Sequence, residues 1–382
     1  MLRKAFVSIT LCAVLLMSPL VGLKVNALSA DSISAPSAVL MEASTGKILF
    51  EKNSHEQRPC ASVTKVMTLL LVFEAIDSGK LSLDDEITVS EHAAGMGGSD
   101  IWLEKGETMS ADDMIKATVV VSANDAAVAL AEHISGSEDA FVEKMNSRAK
   151  ELGMNDTVFK NCNGLDEEGH ITSAYDVAIM SRELTKHEKI FDYTSIWLDN
   201  LRGGKTQIVN TNKLLKTYNG ITGLKTGTTN DAGCCMSATA TRGDVSLISV
   251  VLGCKTGKER FADAAALLDY GFANISVKEL TFPEDMPKSI EVNGGMADSV
   301  KLECKVSSKI VVDKGSGAKI TTEIDLPDNI DAPVEKNQKI GTLTYLVNSK
   351  KAQSFDICAG ESVQKTSFGA LFEYVFTSLI SL

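Results

Sequence analysis

Strand-like segments at both ends of a helical stretch are the feature of this sequence that most restricts its fold. Residues 37–52 contain two short apolar runs around a Ser44-Thr-Gly-Lys47 turn and predict a β-hairpin. The chain from about 84 to 190 has mainly helical periodicity, and the period changes again between 220 and 253. A sheet whose strands come from both ends of a domain and enclose a helical middle predicts an α/β (α+β) arrangement with one shared core.

Apolar periodicity also predicts the individual elements of this arrangement. Residues 62–79 predict a buried helix that ends at Gly79, and residues 259–270 predict a helix that stops at Gly271. Further helices are predicted at 114–121, 126–134 and 141–152, and strands at 224–228, 233–240 and 245–252.

The pattern of the chain changes after about residue 275. Short alternating apolar runs, separated by Gly, Asn, Asp and Pro, predict a small all-β domain over 276–362. It contains no group of catalytic side chains, so its expected role is that of a spacer or recognition module. The catalytic domain is therefore expected at 31–275.

The N-terminus has the pattern of an export signal. Arg3 and Lys4 precede an apolar stretch, and Val25-Asn-Ala27 offers small residues where a signal peptidase cleaves. We expect a signal peptide at 1–27, with Ala30 as the alternative cleavage position, while an uncleaved signal anchor stays open. The mature protein is expected at the outer face of the cytoplasmic membrane or in the cell wall.

The C-terminal segment 367–382 has apolar residues at helical spacing, including Phe368, Leu371 and Phe372. Sixteen residues of helix would be about 24 Å long, shorter than the roughly 30 Å hydrocarbon core of a bilayer. This predicts an amphipathic helix lying on the membrane surface rather than crossing it. A terminal helix packed on the β domain is the alternative.

Charge and residue counts exclude several functions. The net charge is −12 and there is no basic block, which argues against a nucleic-acid partner. Five histidines form no H-E-x-x-H motif or close pair, so neither a catalytic metal nor another cofactor is predicted. Of eight cysteines, Cys12 lies in the signal peptide, which leaves an odd number without C-x-x-C spacing. Cys304 and Cys358 are a candidate disulfide.

Three short motifs carry the candidate chemistry. The first, S-x-x-K, places a hydroxyl and an amine one helical turn apart, so a partly desolvated lysine can activate the serine as a nucleophile. Only Ser62-Val-Thr-Lys65 opens an apolar helix, where the helix dipole favours a developing anion. The other copies, in less suitable contexts, begin at Ser44, Ser147 and Ser362.

The second motif, Ser122-Ala-Asn124, is expected on a turn between two helices. Helix capping by Ser122 or Asn124 is its plainer interpretation. The third, Lys225-Thr-Gly227, is expected on a strand that can pair with an extended peptide and present its side chains to a carboxylate. A second Lys255-Thr-Gly257 is expected at a turn.

The order of these motifs, and the helix start, inter-helix turn and strand that carry them, is typical of penicillin-binding proteins. From about 34 to 362 the chain resembles the low-molecular-mass, secreted serine D-alanyl-D-alanine carboxypeptidases of that group. The resemblance includes the segments beginning Gly98-Ser-Asp-Ile-Trp, Val121-Ser-Ala-Asn-Asp and Gly164-Leu-Asp-Glu-Glu-Gly-His. It implies removal of the terminal D-alanine from peptidoglycan stem pentapeptides and covalent inhibition by β-lactams.

The resemblance also implies roles for individual residues. Ser62 would be the nucleophile, Lys65 its base and Ser122 a proton relay. Asn124 would contact the substrate amide, and the backbone N–H groups of Ser62 and Thr228 would form the oxyanion hole. The carboxylate end of the peptide would be held by Lys225 and Thr226, with Gly227 permitting close approach.

Two further positions have open interpretations. Arg260 lies where the family keeps an arginine for the substrate carboxylate, although a solvated charge at a helix start is the alternative. Cys60 stands where a small residue or proline is more usual, as a packed thiol or an oxidation-sensitive neighbour of Ser62.

Three other functions compete with carboxypeptidase activity. A β-lactamase would need a deacylating glutamate loop of the E-x-x-L-N kind, and residues 155–190 contain none. A sensor that binds penicillin without turnover is disfavoured by three intact motifs. An endopeptidase that cuts cross-links is barely separated from a carboxypeptidase by the sequence.

Overall fold

The computed structural model describes residues 28–306 and 309–369, together with residue 372. The helices of this part are α1 (Lys65–Asp77), α2 (Glu91–Ala94), α3 (Ala111–Val120), α4 (Asn124–Ser135), α5 (Glu138–Glu151), α6 (Ala174–Leu184), α7 (Ile190–Thr194), α8 (Leu214–Thr217) and α9 (Gly257–Asn274). The first strands are β1 (Ser37–Glu42), β2 (Ile48–Lys52), β3 (Glu86–Thr88), β4 (Thr108–Ser110), β5 (Leu198–Leu201), β6 (Thr206–Val209), β7 (Ile221–Thr229), β8 (Gly233–Arg242) and β9 (Val245–Cys254). The later strands are β10 (Ile275–Glu279), β11 (Ser289–Asn293), β12 (Ser299–Cys304), β13 (Lys309–Asp313), β14 (Ile320–Asp325), β15 (Asn329–Asp331), β16 (Lys339–Val347) and β17 (Lys350–Ala359).

A five-stranded antiparallel sheet in the order β2-β1-β9-β8-β7 is the centre of the first part of the chain. Side chains alternate between its faces, so Val39 and Met41 join one core and Ala38 and Leu40 join another. The first core also contains residues of α1, α3, α4 and α6, whereas the second contains residues of α9. The predicted α/β arrangement, with strands from both ends of the domain around a helical middle, is therefore confirmed.

Most predicted elements of this domain are confirmed, although several boundaries differ by a few residues, and two wrong helix boundaries have a clear structural cause. The helix predicted to begin at Ser62 starts as a 3-10 turn over Ala61–Thr64, and its α-helical part begins at Lys65. Ala61 has a φ of 51°, in the left-handed region, so the regular helix cannot extend further toward the N-terminus.

The second wrong boundary is the predicted stop at Gly271, since α9 continues through this glycine to Asn274. A Cβ atom at Gly271 would lie 2.5 Å from Cδ1 of Leu247 and 3.1 Å from Cδ2 of Leu40. This glycine allows close packing of the helix on the sheet and does not end the helix.

After α9, the described chain forms β-strands between Ile275 and Ala359, and residues 368, 369 and 372 are helical. A six-stranded sheet has the order β14-β16-β17-β12-β11-β15, and β10 pairs with β13. Two small apolar clusters form its core, one around Leu343 and Tyr345 and the other around Val300 and Ala359. The predicted change to β-strands after about residue 275 is confirmed.

The candidate disulfide between Cys304 and Cys358 was wrong, because both are free thiols and the register of their strands does not place them opposite each other. The register of β12 and β17 pairs Cys304 with Ile357, and Glu303 with Cys358. Directly paired residues share a face of the sheet, so the two cysteines point to opposite faces.

Two predicted terminal segments lie largely beyond this structure. The signal peptide 1–27 and most of the terminal helix 367–382 are outside the described residues, although Phe368 and Phe372 are described and are 87% and 64% exposed. Among the described helices, none combines the length and apolarity needed to cross a bilayer.

Candidate active site

The Ser62 backbone lies between two glycines that come from distant parts of the chain. A Cβ atom at Gly164 would be 2.9 Å from the backbone nitrogen of Ser62, and a Cβ atom at Gly227 would also be 2.9 Å from it. The Cβ atom at Gly227 would also lie 2.8 Å from the carbonyl oxygen of Cys60. Only glycine allows both backbone segments to approach the 3-10 turn this closely.

The Lys65 side chain is completely buried beside Ser62. Its Nζ atom donates to Oγ of Ser62 at 3.1 Å, to Oδ1 of Asn124 at 2.6 Å and to the carbonyl oxygen of Asn163 at 2.7 Å. Burial lowers the pKa of Lys65 from 10.5 to about 7. A substantial fraction of this amine is therefore neutral near neutral pH.

The three contacts of Lys65 also orient the neutral amine. The amide oxygen of Asn124 and the carbonyl oxygen of Asn163 can only accept hydrogen bonds, whereas the Ser62 hydroxyl can donate or accept. When Lys65 loses one proton, its lone pair is therefore best placed toward Ser62. The geometry supplies a base for the Ser62 proton.

Ser122 and Asn124 lie on the turn between α3 and α4, as predicted. The N-cap of α4 is Ala123 and no side chain caps it, so the capping interpretation of this motif was wrong. Asn124 instead donates through Nδ2 to the carbonyl oxygen of Gly97 at 2.6 Å, in addition to accepting from Lys65. Among the described residues, the buried Ser122 hydroxyl has no hydrogen-bond partner, and its backbone is left-handed with a φ of 66°.

The third motif lies within the edge strand β7 of the sheet, as predicted. Lys225 is 2% exposed and donates to the carbonyl oxygen of Thr226 at 3.1 Å. Burial, together with the charges of Lys65 and Arg260, holds the pKa of Lys225 well below its usual value. The Thr226 hydroxyl contacts the hydroxyl of Thr211 at 2.7 Å.

Arg260 projects from the first turns of α9 toward the end of β7. Its Nη1 atom donates to the carbonyl oxygen of Gly227 and to Oγ1 of Thr228, both at 3.0 Å. The residue is only 8% exposed, so the alternative of a solvated helix-start charge was wrong. Its Nε atom is buried without a hydrogen-bond partner among the described residues.

Three basic side chains, those of Lys65, Lys225 and Arg260, gather in this region without a carboxylate ion-pair partner among the described residues. The ion pairs among the described residues involve side chains other than Lys65, Lys225 and Arg260. Such a field favours an anionic group of a ligand.

Cys60 is a packed thiol and not an exposed neighbour of Ser62. It is completely buried, with Sγ 3.3 Å from Oγ1 of Thr64, and burial raises the pKa of its thiol to about 11. Thr64 also contacts Nε2 of His170 at 2.8 Å, which connects the 3-10 turn to the segment after Gly164.

The decoy motifs lie elsewhere, as predicted. Ser44 bonds to Glu42 within the β1–β2 turn, and Ser147 and Ser362 are exposed. Thr256 is the N-cap of α9 in a capping box with Glu259.

Three contributions to the site were missed from the sequence. The backbone carbonyl oxygens of Asn163 and Gly97 bind Lys65 and Asn124, and Gly164 packs against the Ser62 turn. The Asn163-Gly164 dipeptide is a turn signal, but sequence alone does not place it beside a lysine 98 residues away.

The loop after Gly98 carries an exposed aromatic side chain. The buried Asp125 carboxylate accepts the backbone N–H groups of Ile101 and Leu103, each at 3.0 Å. Trp102 lies between these anchors with a φ of 54° and is 78% exposed. The loop after Gly98 is thus held rigidly beside Asn124.

Comparison with known proteins agrees with this fold. The family model for D-alanyl-D-alanine carboxypeptidase matches residues 24–256, and the model for the C-terminal domain of penicillin-binding protein 5 matches residues 277–365. The structure of penicillin-binding protein 5 from Haemophilus influenzae has a TM-score of 0.80 and 32% identity, covering 89% of this chain and 100% of that one. The class is therefore that of the penicillin-binding proteins with a transpeptidase-like α/β domain and a C-terminal all-β domain.

Curated relatives narrow the assignment within this class. D-alanyl-D-alanine carboxypeptidase DacF of Bacillus subtilis is 44% identical over 338 residues, 87% of each chain. DacC of Escherichia coli is 32% identical, covering 91% of this chain and 88% of that one. The chain belongs to the D-alanyl-D-alanine carboxypeptidase family and is a serine carboxypeptidase of peptidoglycan metabolism.

Proposed function

We propose that this protein removes the terminal D-alanine from peptidoglycan stem pentapeptides through an acyl-enzyme on Ser62. The observation that carries the proposal is the buried Lys65 amine, with Nζ 3.1 Å from Oγ of Ser62 and a pKa of about 7. An amine with this pKa can accept the serine proton at neutral pH, which makes the hydroxyl a nucleophile.

In acylation, neutral Lys65 takes the Ser62 proton as Oγ attacks the carbonyl carbon of the penultimate D-alanine. The carbonyl becomes a tetrahedral oxyanion, stabilised by the backbone N–H groups of Ser62 and Thr228. Collapse breaks the C–N bond, and the departing amine takes the proton held by Lys65 through the Ser122 hydroxyl, which has no partner among the described residues. Water then attacks the ester, releases the shortened peptide and regenerates Ser62.

The substrate contacts follow from charge and position. The terminal carboxylate is held near Lys225, Thr226 and Arg260, where the basic side chains have no carboxylate partner among the described residues. The peptide lies along the β7 edge, with Gly227 allowing its close approach and Asn124 bonding its amide. The gathering of three basic side chains supports this orientation, because a substrate carboxylate would stabilise their charged forms.

β-Lactams would acylate the same serine, because the strained ring amide takes the place of the scissile amide. Structures of penicillin-binding protein D2 from Listeria monocytogenes are known with ampicillin and cefotaxime, and that protein is 34% identical with a TM-score of 0.58. Their chains cover 63% of this one.

The working location is the outer face of the cytoplasmic membrane or the cell wall. A signal peptide at 1–27 would direct export, and an amphipathic helix at 367–382 would hold the protein on the membrane surface. The domain at 31–275 would carry the catalysis, and the β domain at 276–362 would act as a spacer.

The test uses mature protein, a fluorescent penicillin and a stem pentapeptide. The wild type should be labelled and should release free D-alanine, whereas Ser62→Ala should do neither. Ser44→Ala, which removes the serine of a decoy S-x-x-K motif, is the matched control and should behave as wild type. Label without D-alanine release would indicate an endopeptidase or a sensor, and an unlabelled folded wild type would contradict the proposal.

A further inference from the structure

Two cysteines face each other on adjacent strands behind the active site. The antiparallel register of β8 and β9 pairs Cys234 directly with Cys254. Both pack on the same apolar cluster, the one that contains α9, whereas the neighbouring Cys235 belongs to the cluster on the other face. Cys234 and Cys254 therefore point to the same side of the sheet.

This placement meets the geometric requirement of a disulfide. Directly opposite residues in an antiparallel pair have Cα atoms about 4.5–5.5 Å apart, within the range of Cα separations, about 4.4–6.8 Å, across which disulfides form. Cys304 and Cys358 do not have this arrangement, because they are offset by one residue in their strand pair and point to opposite faces of the sheet.

We propose that Cys234 and Cys254 are a site of oxidative modification and form an intrachain disulfide when the protein meets a disulfide oxidant. The relevant oxidant class is a low-molecular-mass disulfide or the disulfide of a thiol oxidase. The in vivo setting rests on the proposed location outside the cytoplasm, where such bonds persist.

The reaction is a pair of thiol–disulfide exchanges. The Cys234 thiolate attacks one sulfur of the oxidant, forms a mixed disulfide and expels the first thiolate. The Cys254 sulfur, after losing its proton, then attacks Cys234 Sγ and expels the second. The protein dithiol is oxidised to one S–S bond, the oxidant is reduced to two thiols, and two electrons are transferred.

The exposure of the two cysteines determines which of them reacts first. Cys234 is partly exposed, whereas Cys254 is 1% exposed, so the oxidant reaches Cys234 first. Sγ of Cys254 lies 3.9 Å from Oδ2 of Asp263, and this carboxylate adds to burial in disfavouring the thiolate, so the Cys254 proton is lost to water. Burial raises the pKa of Cys254 to about 12, which makes ring closure the slower step.

The bond would reinforce the end of the sheet that carries Thr228. The register of β7 pairs Thr228 with Cys234, so Thr228, Cys234 and Cys254 form one row across three strands. The β8–β9 ladder shifts register next to this row, between Cys234 and Met236. A covalent link here holds the two strands together where the ladder is irregular.

The experiment treats purified mature protein with oxidised glutathione and then alkylates the remaining thiols. Non-reducing mass spectrometry should find a peptide with Cys234 and Cys235 linked to the peptide with Cys254. Cys235→Ala should keep the link, and Cys234→Ala should lose it. The oxidised wild type should melt higher than its reduced form by on the order of 5–10 °C, as expected for closing a loop of this length.

Three results would overturn the proposal. They are a link that persists in Cys234→Ala, a Cys234 that carries only glutathione, and full alkylation of Cys234 and Cys254 after oxidation. Because these readouts do not use activity, they are independent of penicillin labelling at Ser62. Cys304→Ala is the control for a general effect of removing a thiol and should leave both the link and the melting shift intact.

Discussion

Gly164 packs against Ser62 so closely that a side chain on this glycine would lie 2.9 Å from the backbone nitrogen of Ser62. The same side chain would overlap the carbonyl group of Ala61. The position of the nucleophile is therefore determined by a glycine about a hundred residues later in the chain, and not only by the helix that follows it.

Gly164→Ala should abolish most acylation because the added methyl group would push the Ser62 turn away from its position. A displacement of about 1 Å at a reacting group can cost about 100-fold in rate. The measurement is the second-order rate of labelling by a fluorescent penicillin. Gly136→Ala is the matched control, since Gly136 has the same φ of 85° but no atom within 4 Å of the added carbon. Equal losses in the two variants would show that backbone strain, and not contact with the nucleophile turn, is responsible.

The pH dependence of acylation should follow Lys65. Burial lowers the pKa of Lys65 to about 7, so the amine is protonated and inactive below this pH and is neutral and able to accept a proton above it. The rate of penicillin labelling should therefore rise with pH, with a midpoint near 7, and reach a plateau. Stopped-flow labelling across this range tests the prediction. A rate independent of pH between about 5 and about 9 would exclude Lys65 as the titrating base.

Asn124→Asp should move that midpoint upward. The Asn124 Oδ1 atom is 2.6 Å from Nζ of Lys65, and a carboxylate there would stabilise the protonated amine. The midpoint should rise by on the order of one unit or more, and labelling at neutral pH should fall accordingly. Asn124→Ala removes the same hydrogen bond to Lys65 without adding a negative charge, and it should not raise the midpoint. Comparing the two variants therefore separates the effect of the added charge from the effect of the lost hydrogen bond.

The parts of the site that sequence predicted are those that depend on local spacing. Ser62 and Lys65 are one turn apart, and the S-x-N and K-T-G motifs lie on the inter-helix turn and the strand that were expected. The carbonyl oxygens of Asn163 and Gly97 were missed because every residue has a carbonyl group. Only the tertiary fold decides which one faces a buried lysine or amide.

Glycines were the least predictable residues, because one residue type serves opposite purposes. Gly79 ends α1 as predicted, with a φ of 71°. Gly271 was expected to do the same for α9, but it lies in the helix where Leu40 and Leu247 leave no room for a side chain. Sequence shows that a side chain is absent, and only packing shows why.

Arg260→Gln should weaken recognition of the substrate carboxylate and leave the nucleophile intact. The wild type should prefer a peptide ending in a free carboxylate over the same peptide ending in a carboxamide, and the variant should lose much of this preference. Loss of one buried charge pair corresponds to about 2 kcal/mol, or about 30-fold in kcat/KM for the carboxylate substrate. Comparing kcat/KM for the two peptides in both proteins tests this, because a merely structural role would lower both values by the same factor. The Nη1 atom of Arg260 also bonds Gly227 and Thr228, so a common loss for both peptides would identify it as a support of β7 instead.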